Sequence, residues 1–450
     1  MSVDQPVAEA IATPPPATPG SESPASKLPE PAPPSETPAA PRRAAVGFIF
    51  ITILLDMLSI GMILPILPKL VESFADNNTA DAAKIYGLFG TAWALMQFFA
   101  SPVLGALSDR FGRRPVILLS NFGLGCDYVM MALAPSLGWL FVGRMISGVT
   151  SASISTSFAY IADVTPTEKR AAVFGKIGAA FGLGFIFGPA IGGLLGGVDP
   201  RLPFWVAAGL SLANALYGYF VLPESLPKQR RSPFKWRRAN PLGALRLLRS
   251  NVTLSALAVV TFCAEVAHVA LPATFVLYTT YRYGWDQTTV GLALAFVGLC
   301  TTIVQGGLVG PALKLLGERW AIIIGYGCGA LGFAIYALAP NGALFWIGTP
   351  VMTIWGIAGP ATSSLMTRLV PPDQQGQLQG ATTSVNSIAE LVGPSLFTLI
   401  FAYFIADGTP IDLPGAPFLV AGLLLLLSML IAGHAVAAMN RQKAQAAADT

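Results

Sequence analysis

The chain has 450 residues, of which 54% are hydrophobic and only 11% are charged, and its formal net charge is +4. A soluble domain carries about a quarter charged residues, so this composition excludes a water-soluble globular protein. The four cysteines are dispersed inside apolar runs, which excludes a disulfide framework, and two histidines are too few for zinc-hydrolase or serine-triad chemistry. We therefore predict a polytopic helical membrane protein.

Residues 1–43 differ in composition from the rest of the chain. They are rich in Pro, Ala, Ser and Glu and contain no aromatic residue, so they bury too little apolar surface to offset chain entropy. We expect a disordered cytoplasmic tail; a polyproline segment that binds a partner is the alternative. No basic start is followed by an apolar core, so the tail is not predicted to be a signal peptide.

Apolar segments long enough to cross a bilayer follow from residue 45 onward. We predict twelve spans, at 45–68, 85–107, 115–134, 137–162, 170–197, 203–222, 252–280, 289–313, 320–339, 342–369, 377–405 and 416–438. The predicted fold class is an all-α membrane protein with two six-helix bundles. The predicted domains are the tail 1–43, the bundle 44–222, the linker 223–251, the bundle 252–438 and a second tail 439–450.

The linker indicates the orientation of the chain. Residues 223–251 carry eight Lys and Arg against a single acid, Glu224, and cytoplasmic loops concentrate Lys and Arg. Six spans on each side then place both termini in the cytoplasm. The stretch 70–84, predicted to be a loop on the other side, is acidic.

The two halves of the chain repeat each other. "GALSDRFGRRPVILLS" (105–120) matches "GPALKLLGERWAIIIG" (310–325), so that Gly112 falls on Gly317 at an offset of 205 residues. Pro166 with Pro371, and Gly188-Pro189 with Gly393-Pro394, repeat at the same offset. This pattern is typical of transporters that rock two bundles about a central site.

Three motifs carry a family resemblance: "GALSDRFGRRPV", "GRMISG" (143–148) and "GLGFIFGPAIGG" (182–193). They resemble the major facilitator superfamily, and residues 48 to 430 resemble its tetracycline/proton antiporters of Gram-negative bacteria. The resemblance implies the major facilitator fold and a cytoplasmic gate, formed here by Gly105, Asp109, Arg110, Gly112, Arg113, Arg114 and Asp163. Asp109, Arg113 and Asp163 are expected to latch the bundles together. Asp109 leaves a helix C-terminus and should seek the N-terminus of the span at 377.

Ionisable groups inside spans are costly and are therefore functional candidates. Asp56 lies near the middle of the first span, where we expect a coupling or substrate role, with a structurally paired acid as the alternative. Asp127 and Arg144 should share a depth on a helical hairpin and pair, for function or for structure. Gln97 matches a substrate-binding position of the resembled family; a helix–helix hydrogen bond is the alternative.

The second half departs from the resembled antiporters, because Thr301 and Gly329 stand where they have a histidine and an acid. Glu265 and His268 lie three residues apart in the seventh span, so they share a helix face and could relay a proton or simply pack. The proton and substrate candidates are completed by Gln305 and Glu390. These departures leave transport of tetracycline itself open.

The fifth span carries a helix-packing motif, which comprises Gly184, Gly188, Pro189, Gly192, Gly193 and Gly196. Glycines four residues apart form one stripe that lets helices approach closely in lipid. By the resemblance, this seam lies where the two bundles meet. Pro189 is expected to kink the helix.

We predict a proton-coupled antiporter of the inner membrane that exports a drug-like or amphipathic small molecule. Its partners are that substrate, protons and the bilayer, with no nucleic acid, and the protein is expected to be a monomer. No cofactor or metal is predicted; the proton gradient is the energy source, and a metal-chelated substrate is left open. An uptake symporter of a sugar or organic acid and a non-transporting sensor are the alternatives. No catalytic constellation indicates an enzyme.

Overall fold

The computed structural model describes residues 41–151, 153–232, 243–371 and 374–448, and these residues contain helices but no strand. The predicted N-terminal tail up to residue 40 lies outside this part. The described helices are α1 (Pro41–Ile63), α2 (Leu67–Phe74), α3 (Thr79–Phe111), α4 (Arg113–Leu133), α5 (Leu137–Ser151), α6 (Ser153–Val164), α7 (Thr167–Val198), α8 (Leu202–Val221), α9 (Val252–Tyr283), α10 (Gln287–Ile303), α11 (Val309–Leu338), α12 (Gly342–Thr353), α13 (Ala358–Arg368), α14 (Gln375–Ile405) and α15 (Ala416–Ala448).

The twelve predicted spans all fall on these helices, although only eleven separate helices in the described part are long and apolar enough to cross a membrane. One of the eleven is the 52-residue run Gln287–Leu338. At 1.5 Å per residue this run is about 78 Å long, more than twice the thickness of a hydrocarbon core. Gly317 interrupts it with φ 70° and ψ 168°, so the run comprises two spans joined by a tight turn.

The acidic stretch at 70–84 is more ordered than the predicted loop. It contains the end of α2 and the start of α3, where the side chain of Asn78 caps α3 by accepting from the amide of Asp81 at 3.1 Å. The buried Glu72 of α2 accepts from Thr79 Oγ1 at 2.5 Å and pairs with Lys69 at 2.7 Å. These bonds fold α2 against the beginning of α3.

Two faces of the molecule are distinguished by their turns. The terminal face is the end where α1 begins and α15 ends, and it carries the charged turns 109–114 and 314–319. The opposite face carries α2 and the turns at 134–136, 199–201, 284–286, 339–341 and 406–415. On this face Asp286 caps α10, and hydrogen bonds from Thr289 hold the pKa of that carboxyl below its ordinary value.

The bundles meet mainly through two helix pairs, α3 with α14 and α7 with α10, with smaller contacts of α9 with α2 and α3. In the first pair the Oγ1 of Thr91 lies 2.7 Å from the Oγ of Ser395. In the second pair a Cβ placed on Gly193 would lie 2.9 Å from the Cα of Gly291. All four residues belong to the halves of their helices that lie toward the opposite face, so the bundles are closed there.

The glycine stripe of α7 faces a different partner from the one predicted. Side chains added at 184, 188, 192 and 196 would run into Met57, Gly61, Met62 and Ile66 respectively, all of which belong to the first span and its continuation. The stripe therefore joins α7 to α1 inside the first bundle, and the expectation that it lies between the bundles is wrong. A spacing of four residues defines one helix face but does not say which neighbour covers it.

The contact of α7 with the second bundle is made by a neighbouring face of the helix. This face is rotated by about 100° around the helix axis from the glycine stripe. It contains Gly182, Gly193 and Gly197, which approach Thr302, Gly291 and Thr288 respectively. Small residues thus cover two faces of α7. This explains why the helix can pack closely against the first span of its own bundle and against α10 of the second bundle.

Candidate functional site

The charged turn of the first half is organised around Arg113. Its Nη1 lies 2.6 Å from Asp109 Oδ1, and its Nε donates to Asp163 Oδ2 at 3.2 Å. Gly112 precedes it with φ 109°, a left-handed conformation that allows α3 to end and α4 to begin within one residue. The structure thus brings together the three residues that were expected to form a latch.

This ion-pair network lies within the first half of the molecule. The carbonyl of Asp109 accepts from the amide of Ser232 at 3.1 Å, and Asp163 Oδ2 accepts from Ser225 Oγ at 3.1 Å. No recorded ion pair of the described residues joins the network to the second bundle. Among the described residues, no hydrogen bond or ion pair joins Asp109 to the start of α14, and the beginning of the linker covers the turn instead.

We call residues 223–232 the strap, because this segment crosses the charged turn. Its central contact is Glu224, whose Oε1 accepts from the amides of Arg113 at 2.9 Å and Leu226 at 3.0 Å. The glycine at 112 has no side chain to cap α4, so Glu224 supplies the capping carboxylate from a distant part of the sequence. The strap was missed by sequence reasoning, in which Glu224 was only the single acid of a basic linker.

The second half has a corresponding ion pair. Glu318 Oε1 lies 2.7 Å from Arg368 Nη2 and accepts from Ser364 Oγ at 2.6 Å. Neither Glu318 nor Arg368 was among the predicted site residues, although the 205-residue offset applied to Arg113 and Asp163 leads directly to them.

Asp56 lies inside the first bundle and is 6% exposed. Its Oδ1 accepts from Asn214 Nδ2 of α8 at 3.2 Å. The same nitrogen donates to the carbonyl of Thr52 at 3.2 Å. Asp56 therefore faces α8 rather than the seam between the bundles, and it has a polar partner that the sequence analysis did not identify.

Asp127 and Arg144 interact electrostatically, as expected for charges at a shared depth, but they form no direct ion pair. Asp127 is 1% exposed and neither of its carboxylate oxygens has a hydrogen-bond partner among the described residues. The guanidinium of Arg144 instead lies 5.4 Å from the ring centre of Trp93 on α3. The reason is local: α5 turns Gly143 toward Asp127, and the next residue points about 100° away.

Gln97 is half-buried on α3, and its Oε1 is buried without a hydrogen-bond partner in the described structure. The helix–helix hydrogen bond considered for this residue is thus not made by that oxygen. Arg144, Asp127 and Gln97 leave unsatisfied polar atoms inside one bundle, where each such atom is costly.

Glu265 and His268 lie on α9 but have no recorded contact with each other. His268 is exposed, and its ring packs edge-on against Trp355 with 5.8 Å between centroids. Glu265 is half-buried and instead interacts electrostatically with Glu390 of α14. The expected contact between the acid and the histidine is wrong, because two side chains three residues apart diverge when each packs on a different neighbour.

The remaining candidates of the second half lie on α10, on α11 and between them. Gln305 is exposed in the π-helical turn Val304–Leu308. Gly329 is buried against Leu425 and Trp355, where an added Cβ would lie 2.7 Å and 2.9 Å from their side chains. The position aligned with a family acid is thus filled by neighbouring side chains. Among the described residues, no group of three or more His, Cys, Asp or Glu could hold a metal ion.

Two bundles of apolar helices that close on each other at one face, with ionisable groups inside them, define a membrane transporter. A sequence model of the Major Facilitator Superfamily matches residues 49–394, and the chain belongs to this superfamily. It is 40% identical to the tetracycline resistance protein of class C from Escherichia coli, over 78% of this chain and 88% of that protein. It is 36% identical to the class D protein from Salmonella ordonez, over 84% and 94% of the two chains.

Solved structures agree with this assignment. The human organic anion transporter MFSD10 (TETRAN) is 25% identical and superposes with a TM-score of 0.65 over 87% of this chain and 99% of that one. A bacterial homologue of the human lysosomal transporter Spinster, in an inward-facing and unoccupied conformation, gives a TM-score of 0.72 over 89% and 98%. At 15% identity, the second comparison supports the fold alone.

Proposed function

We propose that the protein exports a drug-like or amphipathic small molecule across the inner membrane in exchange for protons, by alternating access. The observation that carries this proposal is the carboxylate of Asp56, which is buried in a membrane-spanning helix without a cationic partner in the described structure. An acid at such a site is expensive to keep unless its protonation is used.

The arrangement of the bundles supports an inward-facing state. The seam contacts of Thr91 with Ser395 and of Gly193 with Gly291 close the opposite face, whereas the ion pairs of the two charged turns stay within their own halves. The basic linker favours the terminal face as the cytoplasmic one. On this proposal, both termini are cytoplasmic and the bundles are open toward the cytoplasm.

The substrate class follows from the relatives. Two proteins that are 40% and 36% identical confer tetracycline resistance by name. Thr301 and Gly329 replace ionisable groups of those antiporters, so the substrate is proposed as drug-like rather than as tetracycline itself.

Everted membrane vesicles from cells that express the chain test the proposal. Acidification of the vesicle interior should drive uptake of a transported compound, with tetracycline as the first probe and a panel of antibiotics after it. Asp56→Asn should abolish the pH-driven uptake while normal amounts of protein remain in the membrane. Unchanged uptake by this variant would overturn the proton role of Asp56.

Experiments on intact cells separate the alternatives. Proton-driven movement of a sugar or organic acid into intact cells would indicate a symporter. A chain that moves none of the compounds, but still changes cell behaviour when Asp56 is replaced by Asn, would indicate a sensor.

A further inference from the structure

A cluster of buried polar side chains lies between α1 and α8, inside the first bundle. Its members are each at most 6% exposed: Thr52, Asp56, Ser59, Ser211 and Asn214. The cluster has two layers, since Ser211 Oγ lies 3.5 Å from Ser59 Oγ while Asn214 contacts Thr52 and Asp56. Burying polar groups of this kind lowers the stability of the protein, so their presence needs an explanation.

The orientation of the Asn214 amide is fixed by the backbone. Its Nδ2 lies 3.2 Å from the carbonyl oxygen of Thr52, which can only accept a hydrogen bond. A rotated amide would place two acceptors against each other, so the nitrogen stays on this side whatever the state of Asp56. Asn214 therefore offers Asp56 a permanent donor, also at 3.2 Å.

The other half of the amide is unsatisfied. Asn214 Oδ1 is buried without a hydrogen-bond partner in the described structure, and so is Thr52 Oγ1. A residue kept only for packing would be better replaced by leucine, which has a similar shape and no polar atoms to bury. The amide thus points to a role in the chemistry of its neighbour Asp56.

We propose that Asn214 is a positioning residue that sets the pH at which Asp56 releases its proton. This inference rests on the proposed proton-coupled function. A fixed donor stabilises the ionised carboxylate and does nothing for the protonated one, so it makes release of the proton easier in a buried site. Without the donor, release requires more alkaline conditions.

Other titratable groups around Asp56 do not replace this donor. On α4, Tyr128 interacts electrostatically with both Asp56 and Asp127. The helix α7 contacts α1 through glycines, and its described titratable residue nearest that contact is Lys176. Titratable groups on α6 and α8 are Tyr160 and Asp163 of α6, and Tyr217, which stacks on Phe48, and the exposed Tyr219 of α8.

Infrared titration of the reconstituted protein tests the inference without any substrate. The carboxylic C=O band that disappears in Asp56→Asn reports the protonation of Asp56. In Asn214→Leu the midpoint of this band should move to higher pH by about one unit, a tenfold change in proton affinity, which is typical for one hydrogen bond to a charged group. Ser211→Ala, which removes a neighbouring buried polar contact without touching Asp56, should leave the midpoint unchanged.

Asn214→Ser serves as a second variant if the leucine variant does not accumulate. An unshifted midpoint in both Asn214 variants, or an equal shift in Ser211→Ala, would overturn the inference while leaving the proposed function intact. The proposed function fails separately, if Asp56→Asn retains the pH-driven uptake of tetracycline or of the panel compounds in everted vesicles.

Discussion

Arg113 and Glu318 occupy the same position in the two halves of the chain, 205 residues apart, and carry opposite charges. Their partners are reversed as well, since Arg113 pairs with Asp163 at 3.2 Å and Glu318 with Arg368 at 2.7 Å. The repeat has thus conserved an ion pair between the same two helix ends while inverting its polarity.

The inversion extends to a third position, because Lys314 stands where the first half has Asp109. At these three matched positions the first half carries acid, base and acid, with a formal charge of −1, and the second carries base, acid and base, with +1, although Arg110, Arg114 and Arg319 make both complete turns positive. We therefore expect attraction between the two triads, rather than between the turns as a whole, to favour closure of the terminal face in the proposed outward-facing state.

Reversing Glu318 alone tests this complementarity. Glu318→Arg should slow transport several-fold, because it breaks the pair with Arg368 and raises the triad to +3. The double variant Glu318→Arg/Arg368→Glu restores both the pair and the charge of +1, and should recover most of the rate. The pair is 60% exposed at Arg368 and 19% at Glu318, so its own stabilisation is below about 1 kcal/mol. A double variant as slow as the single one would contradict the role of charge.

The two neighbouring glycines Gly192 and Gly193 should respond differently to alanine. At 193 the added methyl group meets the backbone of Gly291 in the other bundle, whereas at 192 it meets Met62 in the same bundle. Gly193→Ala should open the opposite face and increase thiol labelling of Thr91→Cys from outside, at normal protein abundance. Gly192→Ala should instead destabilise the first bundle by roughly 1–3 kcal/mol and lower abundance. Equal labelling in the two variants would argue against two separate faces of α7.

Substitutions of Glu224 in the strap should destabilise the start of α4 to different degrees. Glu224→Gln keeps an oxygen that accepts from the amide of Arg113, whereas Glu224→Ala removes the cap and should cost about 1 kcal/mol. Amide hydrogen exchange at the start of α4 should therefore accelerate strongly in the alanine variant and weakly in the glutamine variant. Arg231→Gln is the control, because its pair with Glu224 is long, at 3.7 Å, and the Arg231 side chain is 25% exposed, so the pair should contribute less than about 1 kcal/mol. Equal exchange in all variants would show that the strap does not cap the helix.

Restoring the acid of the resembled antiporters at position 329 should fail. Gly329→Asp places a charged side chain against Leu425 and Trp355, so folded protein should decrease sharply rather than gain activity. Shortening one neighbour, as in Gly329→Asp/Leu425→Ala, should recover part of the folded protein. Thermal unfolding of the detergent-solubilised variants measures this recovery. Normal abundance of the single variant would mean that the site has more room than its packing indicates.

The helices were predictable because their signals are local. Long apolar runs identify each span, and the constant offset between Gly112 and Gly317 identifies the repeat and the tight turn within the longest helix. The charged turn around Arg113 was also predictable, since Asp109 and Arg113 share one motif and the family resemblance implied Asp163.

The partners of single side chains were not predictable, because each depends on which neighbour a helix face meets. Arg144 was expected on Asp127 and packs on Trp93, since Gly143 occupies the intervening face. His268 likewise packs against Trp355 rather than against Glu265. Asn214 gave no signal at all, as one amide in an apolar span is common and only the fold brings it to Asp56.

The two glycine faces of α7 also decide which parts of the molecule can move. Four close approaches bind α7 to the first span, and interlocked backbones leave no room for sliding, so these two helices must travel as one rigid body. The glycines that face α10 meet the backbone of Gly291 and the side chains of Thr288 and Thr302 on the other bundle. One face of α7 therefore belongs to the rigid first bundle, and the other forms, together with the α3–α14 pair, the contact about which the proposed rocking would occur.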